Sequence, residues 1–277
     1  MAIVKIMMIG DVVGDLGIEA LEKELMNLAS EQGADFIVIN GENAAGGFGL
    51  TAETLARILD AGADIVTSGN HVWEKRDFWP TLEVEKRVIR PANYPNAPGR
   101  GWVQIEKRGI HWAIVNLQGR EGMSNIDCPF KDADLILAEI ASNQNEEGLP
   151  LVFVDFHAES SQEKEALAFY LDGRVQAIVG THTHVQTADA RLLPGGTAYI
   201  TDLGMTGAVD GIIGMDAAIC LERNKTQVPH RMTLATGKSA IRGVVISIDS
   251  ETKKALSIEN LQRVSIEGTS NPNTLKP

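Results

Sequence analysis

Apolar positions along this chain fall into two periods. Ile3 to Ile9, Phe36-Ile37-Val38-Ile39, Asp64-Ile65-Val66-Thr67, Leu151-Val152-Phe153-Val154 and Val175-Gln176-Ala177-Ile178-Val179 are short, nearly continuous runs rich in β-branched residues. Such runs predict strands buried on both faces. Elsewhere the spacing is helical. Ile18, Leu21, Leu25 and Leu28 predict a helix over about Gly17 to Glu31, ended by Gly33, and Thr54, Leu55, Ile58 and Leu59 form the inner stripe of another, with Thr51 as its N-cap. Asp132 to Ser142, closed by the polar Asn143 to Gly148, and Glu163 to Leu171 read as two more. The opening third thus repeats strand, loop and helix, which predicts a parallel sheet with a site above its strand ends.

Beyond a Pro/Asn-rich turn at Pro91 to Gly99 the pattern changes. Trp102-Val103-Gln104-Ile105 and Ile110 to Val115, joined across Lys107-Arg108-Gly109, predict an antiparallel hairpin. Ala198 to Ile200, Arg242 to Ile248 and Ala255 to Arg263 read as later strands. With 277 residues, 44% of them hydrophobic, the chain can bury one large core, so a single α/β domain over residues 1–267 is expected. The polar tail from Gly268 to Pro277 is expected to be disordered.

Charge narrows the function. A net charge of -12 opposes the broad basic surface that long nucleic acid needs, but bound cations would let an acidic protein hold a small phosphate substrate. The two cysteines, Cys128 and Cys220, form no C-x-x-C pair, which argues against a disulfide framework and fits a reducing cytoplasm. The first residues are too soon interrupted by Gly10-Asp11 to act as a signal peptide, and no apolar run approaches the ~18 residues a membrane span needs.

Candidate chemistry gathers where strands end. Gly180-Thr181-His182-Thr183-His184-Val185 follows one buried run, and in extended backbone its two imidazoles project to one side, as metal binding requires. Alone, the pattern fits two solvated loop histidines equally well. The other strand ends add Asp11, Glu42, Asn43, Asn70, His71 and His157. Carboxylates, amides and imidazoles without a thiolate suit iron, manganese or zinc, and their number suggests two ions sharing one carboxylate. His71 stands next to Asn70 as a further imidazole at the same strand end. Asp155, Glu159 and Asp189 flank these residues, and one of them is expected to bond an imidazole N–H. The glycines of 41–49 are expected to let backbone approach the site closely. Arg90 and Arg120 fit a phosphate contact or an ordinary structural role, and His111 and His230 read as structural. Thr201 to Asp216, rich in glycine with two methionines, fits a substrate mouth, a subunit contact or a tightly turned structural loop.

In chain order, Gly10-Asp11, Gly69-Asn70-His71, His157 and Gly180-Thr181-His182-Thr183-His184 resemble the calcineurin-like metallophosphoesterases. Gly10-Asp11-Val12-Val13-Gly14, Asn40-Gly41-Glu42-Asn43-Ala44-Ala45, Arg90-Pro91-Ala92-Asn93, Asn116 to Arg120, Asp155 to Glu159, Thr181 to Asp189, Gly204 to Gly207 and Gly214 to Asp216 narrow this to the bacterial YmdB group. The resemblance implies an α/β/β/α sandwich, two packed mixed β-sheets flanked by helices. It implies a cytoplasmic phosphodiesterase that hydrolyses cyclic nucleotides, 2',3'-cyclic species at the 2' side and 3',5'-cyclic species as a further class. Carried over, Asp11, Glu42, Asn43 and His184 would hold one metal ion, and Glu42, Asn70, His157 and His182 the second, with a bridging hydroxide as nucleophile and His71, outside both sets, as the candidate catalytic proton donor to the leaving oxygen. The ions would be iron, or manganese or zinc, and a homo-oligomer is expected. Two positions depart from the wider pattern: Asp11-Val12-Val13 stands for the usual D-x-H, and Glu42 for the usual bridging aspartate. A phosphomonoesterase of the nucleotidase kind, or a regulatory metal-binding protein without catalysis, are the competing readings.

Overall fold

The computed structural model describes residues 3–142 and 149–264. The segment Asn143 to Gly148 and the tail Gly268 to Pro277 lie outside the described residues. Among the described residues the strands form two mixed sheets. In the first, β1 (Ile3–Ile9) lies between β3 (Phe36–Asn40), parallel, and β12 (Ser239–Asp249), antiparallel; β4 (Ile65–Thr67) continues on one side. On the other side come β13 (Ala255–Val264), and β11 (Met205–Ala208) with β2 (Asp11–Val12). The second sheet runs β5 (Trp102–Lys107), β6 (Ile110–Gln118), β7 (Leu151–His157), β8 (Ala177–Thr181), β10 (Ala198–Ile200) and β9 (Arg191–Leu192).

Strand alternation sorts the core into layers. Val4, Ile6 and Met8 face inward with Phe36, Trp112, Ile114 and Phe153, filling the space between the sheets. Met7 and Ile9 face the other way, onto Leu21, Leu25 and Leu28 of α1 (Gly14–Gln32) and Leu55 and Ile58 of α2 (Ala52–Asp60). Val152, Val154 and Ile178 pack on Ala133 and Ile136 of α4 (Pro129–Ser142) and Leu167 of α5 (Ser161–Leu171). The result is the expected α/β/β/α sandwich. Trp112 stacks on Phe36 across the sheets at 4.8 Å between centroids, an arrangement worth about 0.5–1.5 kcal/mol beyond area burial.

Local signals behave as physics dictates. Gly33 ends α1 in the left-handed region at φ 67°, and Thr51 caps α2 with a reciprocal bond to Thr54. Arg108 and Gly109, at φ 56° and 72°, make the two-residue turn between β5 and β6. Differences have identifiable causes. Helix α1 begins at Gly14 rather than Gly17, without a side-chain cap, because the Gly14 N–H is taken by the Asn43 carbonyl. The Ala217–Thr226 helix, α6, was not expected: only Cys220 in it is buried, so it carries no apolar stripe. Nor was α3 (Trp79–Val84), with the 3-10 turn Arg76–Phe78 before it.

Within Thr201 to Asp216, β11 adds a short strand that pairs Met205 with Asp11 and Thr206 with Val12. Gly204 and Gly211 of this segment meet backbone closely, and its pairing with β2 fixes Asp11 at the mouth of the sandwich. Arg90 spends its guanidinium on the carbonyls of Pro91, Ala92, Ala97, Pro98 and Gly99, so it organises the turn after β4 and is not available to a phosphate. Arg120 donates to Cys128 Sγ at 3.4 Å.

Candidate dinuclear metal site

The carboxyl ends of β1, β3, β4, β7 and β8 open at one end of the sandwich, and the predicted side chains stand just beyond them. His157 is the last residue of β7 and is fully buried. Its Nε2 lies 3.0 Å from Asn70 Oδ1, 3.1 Å from Glu42 Oε1 and 3.1 Å from His182 Nδ1. Gly69 makes this approach possible: a Cβ there would stand 2.3 Å from both Glu42 Oε2 and His157 Nε2. The close-approach glycine is thus Gly69. Within 41–49, Gly41 packs on Val66, Gly47 on Leu234 and Gly49 on the His71 backbone, while a Cβ at Gly46 would meet nothing, so it is the side chains of Glu42 and Asn43 that this loop brings to the site.

Neighbouring bonds fix which way the protons point. The Thr181 hydroxyl donates to Asp155 Oδ1 at 2.8 Å, so its oxygen accepts from His157 Nδ1–H at 3.0 Å and Nε2 keeps its lone pair. His182 Nε2 faces the Glu159 carboxylate at 3.2 Å, which leaves Nδ1 as an acceptor. His184 Nδ1–H donates to the Ile213 carbonyl at 2.9 Å, so its Nε2 lone pair faces Asn43 Oδ1 at 3.3 Å. The Asn43 amide is oriented by Nδ2 donating to the Gly47 carbonyl at 2.8 Å. Asp11 Oδ2 accepts from the His182 N–H at 3.2 Å, while Asp11 Oδ1 and Glu42 Oε2 are buried with no hydrogen-bond partner.

Acceptors aimed at acceptors repel unless a cation or a proton lies between them, and buried orphan carboxylate oxygens are costly. The donor set therefore fits metal ions. Glu42, His157 and His182 offer ligand atoms within 4.8 Å of one another. Electrostatics carry the same mark. Burial pushes His157 down, but the carboxylates of Glu42, Asp11 and Asp155 outweigh it and raise it to about 9, so that a proton stands in for the cation. Burial raises Asp11 to about 6. Burial and the nearby His157 charge depress His182 to about 3, which keeps its lone pair available.

His71 sits beside this cluster. Its backbone N–H donates to Glu42 Oε1 at 3.2 Å, and its ring packs edge-on to Phe48 with Nδ1 3.3 Å from Glu74 Oε1. Of the flanking carboxylates, Glu159 meets an imidazole nitrogen directly, Asp155 acts through Thr181, and Asp189 bonds Thr187 and Thr201 instead. One expectation fails in geometry. The His182-Thr183-His184 backbone is not extended: His182 and His184 take φ 102° and 67°, rarely populated by residues other than glycine. The two rings consequently diverge, one to Glu42 and His157, the other to Asn43.

That strained turn is held by groups the sequence did not single out. Asp202 Oδ2 accepts from the Thr183 N–H at 3.1 Å and from the buried Lys164 Nζ at 2.8 Å. Thr67, Thr181 and Asn40 together satisfy Asp155, and Asn40 Oδ1 accepts the Glu42 N–H. Asn40 and Asp202, which stands just past β10, follow the same rule as the other candidates, a polar side chain at a strand end, whereas Lys164 and Ile213 carry no local signal. Lys164→Met leaves the Asp202 carboxylate buried without its cation and is expected to cost about 3–5 kcal/mol of stability, read from denaturant midpoints. The double change with Asp202→Leu should recover part of that loss.

A profile of the YmdB-like protein family matches residues 7–261. The chain is 47% identical to the 2',3'-cyclic-nucleotide 2'-phosphodiesterase of Bacillus subtilis strain 168 over 258 residues, 93% of this chain and 96% of that one. A crystal structure of a Mycoplasma pneumoniae phosphatase superposes with a TM-score of 0.88 at 30% identity, covering 95% and 94% of the two chains. NAD nucleotidase from Haemophilus influenzae shares the fold alone, with a TM-score of 0.60 at 12% identity over 95% of this chain and 56% of that one. With its sandwich, its strand-end acceptors and these likenesses, the chain belongs to the YmdB-like protein family.

Proposed function

We propose that this protein is a metal-dependent phosphodiesterase that hydrolyses cyclic nucleotides, opening 2',3'-cyclic species at the 2' ester to give the 3'-monophosphate. The observation that carries this reading is the set of lone pairs converging on His157 Nε2 beside two orphan carboxylate oxygens. The activity of the Bacillus subtilis relative supplies the substrate class.

Asp11, Glu42, Asn43 and His184 would hold one cation, and Glu42, Asn70, His157 and His182 the other. Glu42 suits the bridge because Oε1 sits in the His157 cluster while Oε2 has no partner. Iron is the metal we assign, manganese or zinc being chemically acceptable to the same donors. When bound, such ions neutralise phosphoryl oxygens and bring the pKa of water from ~15.7 toward roughly 7. His71 delivers a proton to the departing ribose oxygen: Glu74 orients its Nδ1, and Nε2 is left for the substrate. Among the described residues no helix is long and apolar enough to cross a membrane.

The test is a panel assay of metal-loaded protein on 2',3'-cyclic AMP, 3',5'-cyclic AMP, phenyl phosphate and bis-phenyl phosphate, with elemental analysis of the same preparation. Turnover of the 2',3'-cyclic nucleotide above the monoester is expected. Preference for phenyl phosphate would make the protein a monoesterase, and no turnover at full metal content would favour a regulatory role. His71→Ala should slow the nucleotide reaction about 10²-fold at unchanged metal content. Diesters with a p-nitrophenolate leaving group, which needs no proton, should be nearly unaffected. Equal losses on both substrates would show that His71 is not the proton donor.

A further inference from the structure

A groove of about 340 Å³ opens beside the candidate metal site and shares His184 with it. Arg242 and Gln262, paired across β12 and β13, line it together with Gln186, Met205 and Ile213. Arg242 is the unusual member. Its guanidinium is partly buried, and among the described residues no carboxylate or other acceptor pairs with it. In a chain with 37 acidic residues against 25 basic ones, no acidic side chain lines the groove. Asp210, which flanks the lining in sequence, turns its carboxylate to the Lys238 N–H at 2.8 Å. Burial without compensation pulls the arginine below its usual range, as expected of a cation waiting for an anion.

The geometry also separates this groove from the reacting centre. The His184 ring stands between them: Nε2 faces Asn43 in the metal cluster, and Nδ1 is bonded to the carbonyl of Ile213, a groove residue. Ile213 is a β-branched residue at φ 48°, a costly conformation that places its carbonyl on His184 and leaves its side chain exposed at the groove. An anion seated at Arg242 is therefore a neighbour of the phosphate undergoing hydrolysis and a different group from it.

We propose that Arg242 receives a second phosphate of the substrate, the one carried on the 5' oxygen of the ribose whose 2',3'-cyclic phosphate is opened. This rests on the reading of the protein as a cyclic-nucleotide phosphodiesterase. In such a nucleotide the 5' phosphate is the next anionic group along the sugar, and a guanidinium fork suits its oxygens. Gln262 and Gln186 flank it with amides, although Gln186 Nε2 is already committed to the carbonyls of Gly243 and Leu261. The preferred substrates are then 5'-phosphorylated nucleoside 2',3'-cyclic phosphates, including the terminal residue of a short RNA fragment.

The experiment compares kcat/KM of metal-loaded protein for adenosine 2',3'-cyclic phosphate with and without a 5' phosphate, in wild type, Arg242→Gln and Arg242→Lys. Wild type should favour the 5'-phosphorylated substrate about tenfold or more, through KM, as a charge-assisted hydrogen bond allows. Arg242→Gln should abolish the preference while changing the 5'-hydroxyl reaction by less than about threefold, and Arg242→Lys should restore part of it. Absence of preference in wild type, or equal loss on both substrates in the glutamine variant, overturns the proposal. If wild type turns over neither substrate, the functional reading falls. The groove is then judged by calorimetry with adenosine and adenosine 5'-monophosphate. Tighter binding of the monophosphate that Arg242→Gln erases upholds the subsite, and equal affinities reject it.

Discussion

Replacing Glu42 by glutamine is expected to leave a folded protein whose turnover of cyclic nucleotides falls about 10³-fold or more. A catalytic metal contributes several kcal/mol of transition-state charge stabilisation, and each 1.36 kcal/mol is a decade in rate, so disabling a shared ligand reaches that range. No other side chain in the cluster places one oxygen against His157 Nε2 while leaving the other buried without a partner. The amide removes the negative charge that draws cations in, and in the metal-free protein it also removes the carboxylate that pairs with protonated His157. The metal-free variant should accordingly melt below metal-free wild type near neutral pH, and its metal content should drop. Elemental analysis, kcat and thermal unfolding on one preparation check all three. Wild-type turnover at full metal content would remove Glu42 from the bridging role.

Metal affinity should rise by about a factor of ten per pH unit between pH 6 and 9, roughly 10³-fold in all, and then level off. In the metal-free protein His157 holds a proton up to about 9, and a cation must displace it to use Nε2. Below about 6 Asp11 also binds a proton, so the dependence should steepen there. The stability signs follow. Both folded values lie above the unfolded ones, His157 above 6.5 and Asp11 above 3.8. The favourable contribution of each is complete below its unfolded value. It is lost as pH rises, through about 6 for Asp11 and about 9 for His157. Metal-free protein should therefore weaken from mildly acidic to alkaline pH, and the gain in thermal stability on adding manganese should grow over the same interval. Calorimetric titration with manganese at several pH values, with proton release measured in two buffers, tests this. An affinity flat between pH 6 and 9 would contradict it.

How far the site was legible varies with the distance over which each feature is decided. Asp11, Glu42, Asn43, Asn70, His157, His182 and His184 each follow a buried apolar run, and a parallel sheet brings strand ends together whatever the helices do. That rule also reaches Asn40. It reaches Asp202 as well, just past β10, but not Lys164, which pairs with Asp202 across 38 residues, or the Ile213 carbonyl, which bonds His184 from 29 residues away. Helix α6 escaped for a related reason: a helix that buries Cys220 alone leaves no periodicity to read. In β11 four buried residues were hidden by glycines, because its partners β2 and β12 lie at the two ends of the chain.

Local chemistry, then, determined which residues can act. Runs of β-branched residues bury strands on both faces, and polar groups that cannot stay in such a core collect just past the strand ends. Tertiary structure alone decided how those groups point. The turn at His182 and His184 adopts positive φ because Asp202 holds Thr183 and Ile213 holds His184, so the two rings part instead of pairing. Backbone strain of this kind is stable only when contacts from several distant elements over-determine it, and no short stretch of sequence contains them.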